Sequence, residues 1–228
     1  MESAYGLNLT SGDGVGIWIG LDYLETESAC KDGIGLERNL LVAPDLQRKI
    51  WQNLRRFRNR CITRGAVNIT PTLEEYERIL RLPMAGFPPY FYQGYYSSWA
   101  SIAKIVRMPE SKMVQKRKNG NGLEGLPQSY LEERLNHFLE KEDWLAVMDI
   151  FGLLIYGIVL FPHLENYIDL ATIDTFLARR DRGENPIMEI LANTYYTLNY
   201  CCKKNGKSLR CCTHLLYLWL TAHLFHSK

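Results

Sequence analysis

Residues 145–161, LAVMDIFGLLIYGIVLF, form the most apolar stretch of the chain and contain one charged residue, Asp149. A membrane-spanning helix needs about 20 apolar residues, and a carboxylate near its middle is costly in lipid. The stretch is shorter than that and carries such a carboxylate. It therefore predicts a helix buried in a protein core, at the centre of a mainly α domain.

Helical patterns continue on both sides of this stretch. Thr72, with Glu75 three residues later, predicts a capping box at the start of one helix. Other helices are predicted to begin at Pro44, Ser98 and Pro109, and to cover residues 128–139, 141–161, 164–178, 186–203 and 208–225. The predicted fold is a globular multi-helix domain with at most a small β-hairpin, placed near residues 61–69.

The first forty or so residues differ in composition from the rest, because glycines are scattered there among Ser, Asp and Asn. They predict a loosely ordered N-terminal arm over residues 1–43, followed by a helical domain over residues 44–228. The glycines of residues 14–20 do not form a dinucleotide fingerprint, since the third is one residue late and no strand precedes them. Residues 116–125, rich in Lys, Gly and Asn, predict an exposed turn.

Composition and charge limit the class of protein. The chain has 228 residues, of which 46% are hydrophobic and 23% charged, as in ordinary globular proteins. A net charge of +2 is too small to indicate a polyanionic partner by itself, so only local patches can argue for nucleic acid. Residues 1–10 lack the basic and apolar regions of a secretory signal, which predicts an intracellular chain with reduced thiols.

No catalytic, cofactor-binding or metal-binding residues are predicted. The adjacent carboxylates Glu74 and Glu75 cannot bracket one substrate bond on a helix, and no histidine sits in a known catalytic motif. The residues Cys201, Cys202, Cys211, Cys212 and His214 have the side chains that zinc prefers. Adjacent cysteines on a helix point about 100° apart, however, so packing as small apolar residues competes with zinc binding.

A basic and aromatic stretch over residues 90–118 is the strongest surface signal. Cations that neutralise phosphates, together with rings that stack on bases, are typical of nucleic-acid surfaces. The alternative is a solvated helix face beside rings that belong to the core. The candidate nucleic-acid contacts are Lys104, Arg107, Lys112, Lys116, Arg117 and Lys118.

Four blocks of sequence carry a family resemblance. They are residues 61–76, CITRGAVNITPTLEEY; residues 149–162, DIFGLLIYGIVLFP; residues 185–195, NPIMEILANTY; and residues 212–225, CTHLLYLWLTAHLF. In this order they resemble the blocks of the domain of unknown function 7745, a relative of the aminotransferase-like plant mobile domain. Arg64 and Asn68 depart from the pattern, which usually has an aromatic residue and Asp there.

The resemblance implies a non-enzymatic, plant transposon-derived interaction module that is nuclear and binds a protein partner. No lysine has the setting of a pyridoxal-phosphate site, so no cofactor and no small-molecule substrate are predicted. The alternative is a nucleic-acid-binding accessory of a transposable element that uses residues 90–118. Because the chain stops inside what is normally a longer domain, the resemblance also implies a C-terminally truncated copy.

Overall fold

The computed structural model describes residues 70–116, 118–120, 123–164, 166–204 and 209–225, together with strands β1 (Gly6–Leu7) and β2 (Ile17–Trp18). These two short strands pair antiparallel. The rest of the predicted N-terminal arm, the helix from Pro44 and the predicted hairpin near residues 61–69 lie outside the described residues.

The described residues form eight α-helices, which confirms the prediction of a mainly α fold. They are α1 (Leu73–Leu80), α2 (Trp99–Ile105), α3 (Glu110–Lys116), α4 (Gln128–Glu140), α5 (Trp144–Ile155), α6 (Leu170–Arg182), α7 (Ile187–Lys204) and α8 (Thr213–Phe225). In this part of the chain, no helix is long and apolar enough to cross a membrane.

Helix α1 begins with the predicted capping box. The Thr72 hydroxyl accepts from the Glu75 amide at 3.3 Å, and the Glu75 carboxylate accepts from the Thr72 amide at 2.7 Å. The same carboxylate accepts from the Trp219 indole of α8 at 2.9 Å. The buried Tyr76 hydroxyl lies 3.1 Å from Thr194 of α7. The carboxylate of one local capping motif thus also joins α1 to α8.

Helix α5 forms the centre of the core and continues into a π-helical turn, Tyr156–Leu160. Most of its side chains are buried, including the carboxylate of Asp149. Asp149 accepts two hydrogen bonds from Arg180 of α6, at 2.6 and 2.8 Å, so its charge is paired inside the core. The segment predicted to be a buried helix is therefore buried, and its single charge has a partner.

A three-stranded antiparallel sheet lies beside this core, in the order β3 (Lys118–Gly120), β4 (Leu123–Pro127) and β5 (Tyr167–Asp169). The predicted exposed turn at residues 116–125 is therefore largely a β-hairpin. Strand β5 falls inside the helix that the sequence predicts from residue 164, so the start of that prediction is wrong, and the helix begins at Leu170. Gly125 of β4 pairs with Asp169 of β5, where the two backbones approach closely.

Candidate interaction site

Four of the six predicted nucleic-acid contacts are exposed cations near the α2–α3 connection. Lys104 lies on α2, Arg107 follows that helix, and Lys112 and Lys116 lie on α3. Lys118 begins β3, with a side chain that is not described, and Arg117 lies outside the described residues. Within the described part of the chain, the four exposed cations form no ion pair with a carboxylate.

Lys104 and Arg107 line an open groove of about 540 Å³. Its other lining residues are mostly apolar: Ala100, Ala103, Met108 and Pro109, with Glu110 at one edge. Arg107 has a left-handed backbone, with φ of 50°. Gly is the usual residue in this conformation after a helix, because a Cβ atom makes it less favourable.

Arg134 of α4 fixes the backbone at this groove. Its guanidinium donates to the Val106 carbonyl at 2.9 and 3.1 Å and to the Arg107 carbonyl at 3.3 Å. It also lies 4.5 Å from the centre of the Phe138 ring. The carbonyls that directly follow α2 therefore have a donor, and the backbone that carries Arg107 is held in place.

The second feature is the aromatic loop, residues 87–96, which precedes α2. Five of its rings are large and exposed: Phe87, Phe91, Tyr92, Tyr95 and Tyr96. The Tyr92 and Tyr96 rings lie 4.8 Å apart, and the Arg179 guanidinium lies 4.6 Å from the centre of the Phe87 ring. The five rings are therefore exposed rather than part of the core, and two of them pack against each other.

The aromatic loop is anchored at both ends to α6 and to the turn after it. The Tyr90 hydroxyl donates to one Asp174 oxygen at 2.8 Å, and the Ser97 amide donates to the other at 2.9 Å. The Tyr90 amide donates to the Asn185 carbonyl, and the Asn185 amide donates to the Pro88 carbonyl. Burial and the hydrogen bond to Asp174 raise the pKa of Tyr90, which keeps this donor protonated.

The cations and the aromatic loop lie at opposite ends of α2. The loop joins the N-terminal end of the helix, whereas Lys104 and Arg107 lie at its C-terminal end. At 1.5 Å per residue, the seven residues of α2 span about 10 Å. The aromatic loop and the cations, which follow one another in the sequence, therefore form two adjacent surfaces instead of one mixed surface.

Comparison with the models of known protein families identifies the family of this chain. The model of the domain of unknown function DUF7745 matches residues 41–228, which is most of the chain. The chain belongs to the DUF7745 family. Comparisons with curated proteins and with solved structures gave no match. Membership therefore supports a shared domain without assigning an activity to it.

The cysteines of this DUF7745 chain are placed by helix α8 and the segment before it. Cys211 and Cys212 are buried, and burial raises the pKa of Cys211 to about 12 and that of Cys212 to about 11. Burial also lowers the pKa of His214. Among the described residues, no group of three or more His, Cys, Asp or Glu side chains could hold a metal ion. These two thiols serve as packing groups in the core.

His163 of the DUF7745 domain lies in a polar network that was not predicted from the sequence. His163 Nδ1 lies 2.8 Å from Asp169 Oδ2, and Nε2 lies 3.3 Å from Asn193 Oδ1. Burial alone lowers the pKa of His163, but the bond to Asp169 and its charge outweigh burial and leave that pKa raised. Asp169 is recognisable in the sequence as an N-cap residue, whereas its pairing with His163 has no local sequence signal.

Proposed function

We propose that this chain is a non-catalytic interaction module, plant transposon-derived and related to the plant mobile domain, that binds a nuclear protein through the aromatic loop. The observation that carries the proposal is the set of five exposed rings on an anchored backbone. Large exposed apolar patches on soluble proteins mark interaction sites. The plant, transposon and nuclear parts of the proposal rest on the resemblance of the four sequence blocks.

Anchoring of the loop favours binding energetically. A partner that binds a mobile loop must first order its backbone, at a cost of about 1–2 kcal/mol per residue. Here Asp174 and Asn185 already hold the backbone in place. Aromatic rings also supply a large contact area with only two rotatable side-chain bonds each. A fixed group of tyrosines and phenylalanines is thus suited to protein recognition.

A non-catalytic role is supported by the way the polar groups near the loop are used. Asp174 accepts from Tyr90 and Ser97, and Asn185 bonds the backbone of the loop. These groups position structure and leave no aligned nucleophile and base among the described residues of this surface. The arrangement of these groups therefore favours a binding role for this surface over a catalytic one.

The test of the aromatic loop compares two pairs of exposed side chains. Phe91 and Tyr95 are 59% and 70% exposed, so their replacement by Ala should leave stability within about 0.5 kcal/mol. We expect Phe91→Ala/Tyr95→Ala to weaken binding of a nuclear partner at least about tenfold, because hot-spot rings contribute about 2 kcal/mol or more. Partners are captured from plant nuclear extract by a photo-crosslinker at Tyr92, and affinity for the captured protein is then measured by titration.

Tyr196 and Tyr200 of α7 provide the matched control, with 71% and 49% exposure. Tyr196→Ala/Tyr200→Ala removes a similar amount of exposed ring from α7 and should keep the affinity unchanged. Equal losses in both double variants, or no loss in either, would exclude the aromatic loop as the contact surface.

A second candidate function is favoured by the cations that lack a carboxylate partner. Lys104, Arg107, Lys112 and Lys116 could contact phosphates of a nucleic acid. Release of counterions from four phosphate contacts predicts that affinity for duplex DNA falls roughly 100-fold between 50 and 200 mM salt. We expect Lys104→Ala/Arg107→Ala to reduce the logarithmic salt slope by about 2.

Fluorescence anisotropy with random-sequence DNA and RNA measures this slope. Lys141→Ala is the control, because Lys141 is an exposed lysine at the far end of α4. A salt slope that is the same in Lys104→Ala/Arg107→Ala and in Lys141→Ala would remove the groove from consideration as a phosphate-binding surface.

A further inference from the structure

His163 lies where three parts of the fold meet. It follows the π-helical turn, it bonds Asp169 at the start of α6, and it faces Asn193 of α7. Asn193 in turn donates through Nδ2 to the Arg210 carbonyl, in the segment before α8, at 3.0 Å. One imidazole is thus the middle member of a chain of polar contacts that joins α6, α7 and the start of α8.

The orientation of the Asn193 amide decides which atoms must carry protons. A backbone carbonyl only accepts hydrogen bonds, so the Asn193 atom that faces Arg210 must be the nitrogen. The amide oxygen then points at His163 Nε2. Rotating the amide by 180° would place its oxygen against the Arg210 carbonyl and lose that bond. The oxygen at His163 is therefore fixed by a contact on the other side of Asn193.

Both ring nitrogens consequently face acceptors. Asp169 uses one oxygen to accept from the Thr172 amide at 2.8 Å, and presents the other to His163 Nδ1. Since a neutral imidazole carries one N–H, it can satisfy only one of the two oxygens. The geometry requires the doubly protonated imidazolium if both contacts are to be hydrogen bonds.

We propose that His163 is a proton-operated latch, which as an imidazolium fastens α7 and the segment before α8 to the start of α6, and which releases Asn193 when its proton is lost. The neutral ring keeps Nδ1–H for Asp169, because that carboxylate is the stronger acceptor. Its Nε2 lone pair then faces the Asn193 oxygen, and that contact becomes repulsive.

The charges around the ring set the direction of the switch. Among the described residues, the carboxylates of Asp169 and Glu189 interact electrostatically with His163 and favour its charged form. Tyr96 of the aromatic loop interacts electrostatically with Asp169. The pKa of His163 is raised above 6.5. A group whose pKa is raised on folding contributes its full stabilisation of the folded state at pH values below its unfolded pKa. The latch is therefore closed below about pH 6.5 and opens as pH rises through the folded pKa of His163.

Asp169 defines the acid limit. Burial alone raises its pKa, but the His163 and Thr172 donors outweigh burial and lower it. Its stabilising contribution is therefore present above the unfolded value near 4 and is lost as pH falls through the lower folded pKa. Both partners are charged in the interval between about pH 4 and 6.5, where the latch is most stable.

The latch is tested first in the unmodified protein. ¹⁵N NMR of the histidine rings reports directly which nitrogens carry protons. We expect His163 to have both nitrogens protonated at pH 6 and to titrate above 6.5. A ring that is singly protonated at pH 6, or that titrates below 6.5, would overturn the proposal without any need for a variant.

Hydrogen exchange then measures whether loss of the His163 proton loosens the structure around Asn193. After correction for intrinsic exchange, we expect protection of the amides around Asn193 to fall about tenfold between pH 6 and pH 8.5, as for the loss of one hydrogen bond to a charged group. His163→Gln should remove this pH dependence, and Asn193→Asp should move the titration to higher pH. His137→Gln, on α4, is the matched control and should keep it. Unchanged protection in the native protein, or the same pH dependence in His163→Gln, would overturn the latch.

Discussion

Arg180→Met is expected to lower the free energy of unfolding by about 2–4 kcal/mol. Removal of one partner of a buried ion pair costs about 3–5 kcal/mol, because the other charge stays buried without compensation. The side chain of Arg180 is 29% exposed and that of Asp149 is 8% exposed, so water can offset part of this cost. Urea unfolding followed by circular dichroism at 222 nm gives the free energy directly.

Two controls separate charge burial from loss of packing. Asp149→Leu/Arg180→Met removes both charges and should return to within about 1 kcal/mol of the native protein, since apolar replacements of buried pairs are often neutral. Arg182→Met breaks the more exposed pair with Glu184 and should cost at most about 1 kcal/mol. If the double variant is no more stable than Arg180→Met, the loss in Arg180→Met comes from altered packing and not from an unpaired charge at Asp149.

Gly125→Ala is expected to destabilise the domain by about 3 kcal/mol. A Cβ atom on Gly125 would overlap the Ile168 carbonyl oxygen and would lie 2.8 Å from the Asp169 Cα. Both are backbone atoms of β5, so they cannot rotate away as a side chain can, and the strand must move. Movement of β5 also displaces Asp169 from its capping position on α6. Urea unfolding gives the loss of stability.

Gly183→Ala is the control for Gly125→Ala. Gly183 has a positive φ of 67°, but nothing lies within 4 Å of the place that an added Cβ atom would take, so only backbone strain of about 1 kcal/mol is expected. Similar losses in the two variants would mean that the β4–β5 approach tolerates a methyl group.

Local signals in the sequence predicted the helices well. The Thr72–Glu75 capping box needs only four consecutive residues, and the helix it starts is present. Strand β5 has three residues and exists because β4 pairs with it, so no local pattern distinguishes it from the start of α6. The same limit applies to the pairing of Asp149 with Arg180, which lie 31 residues apart.

In the candidate site, too, the local features could be predicted from the sequence, whereas the long-range contacts could not. Lys104 lies on the exposed face of α2 and Arg107 follows that helix, so their exposure could be predicted from the sequence. The anchoring of the aromatic loop could not be predicted, because it depends on the bond between Tyr90 and Asp174, 84 residues later in the chain. The network around His163 also depends on contacts with Asn193 and Arg210 that only the folded chain brings together.

The contact between α1 and α8 has a consequence for the synthesis of the protein. Glu75 and Trp219 are separated by 144 residues, and at roughly 5–20 residues per second the second is made about 7–30 s after the first. During that interval the apolar face of α1, including Tyr76, cannot be covered by α8. The part of this face that packs on α8 therefore stays exposed to chaperones and to aggregation until α8 has left the ribosome.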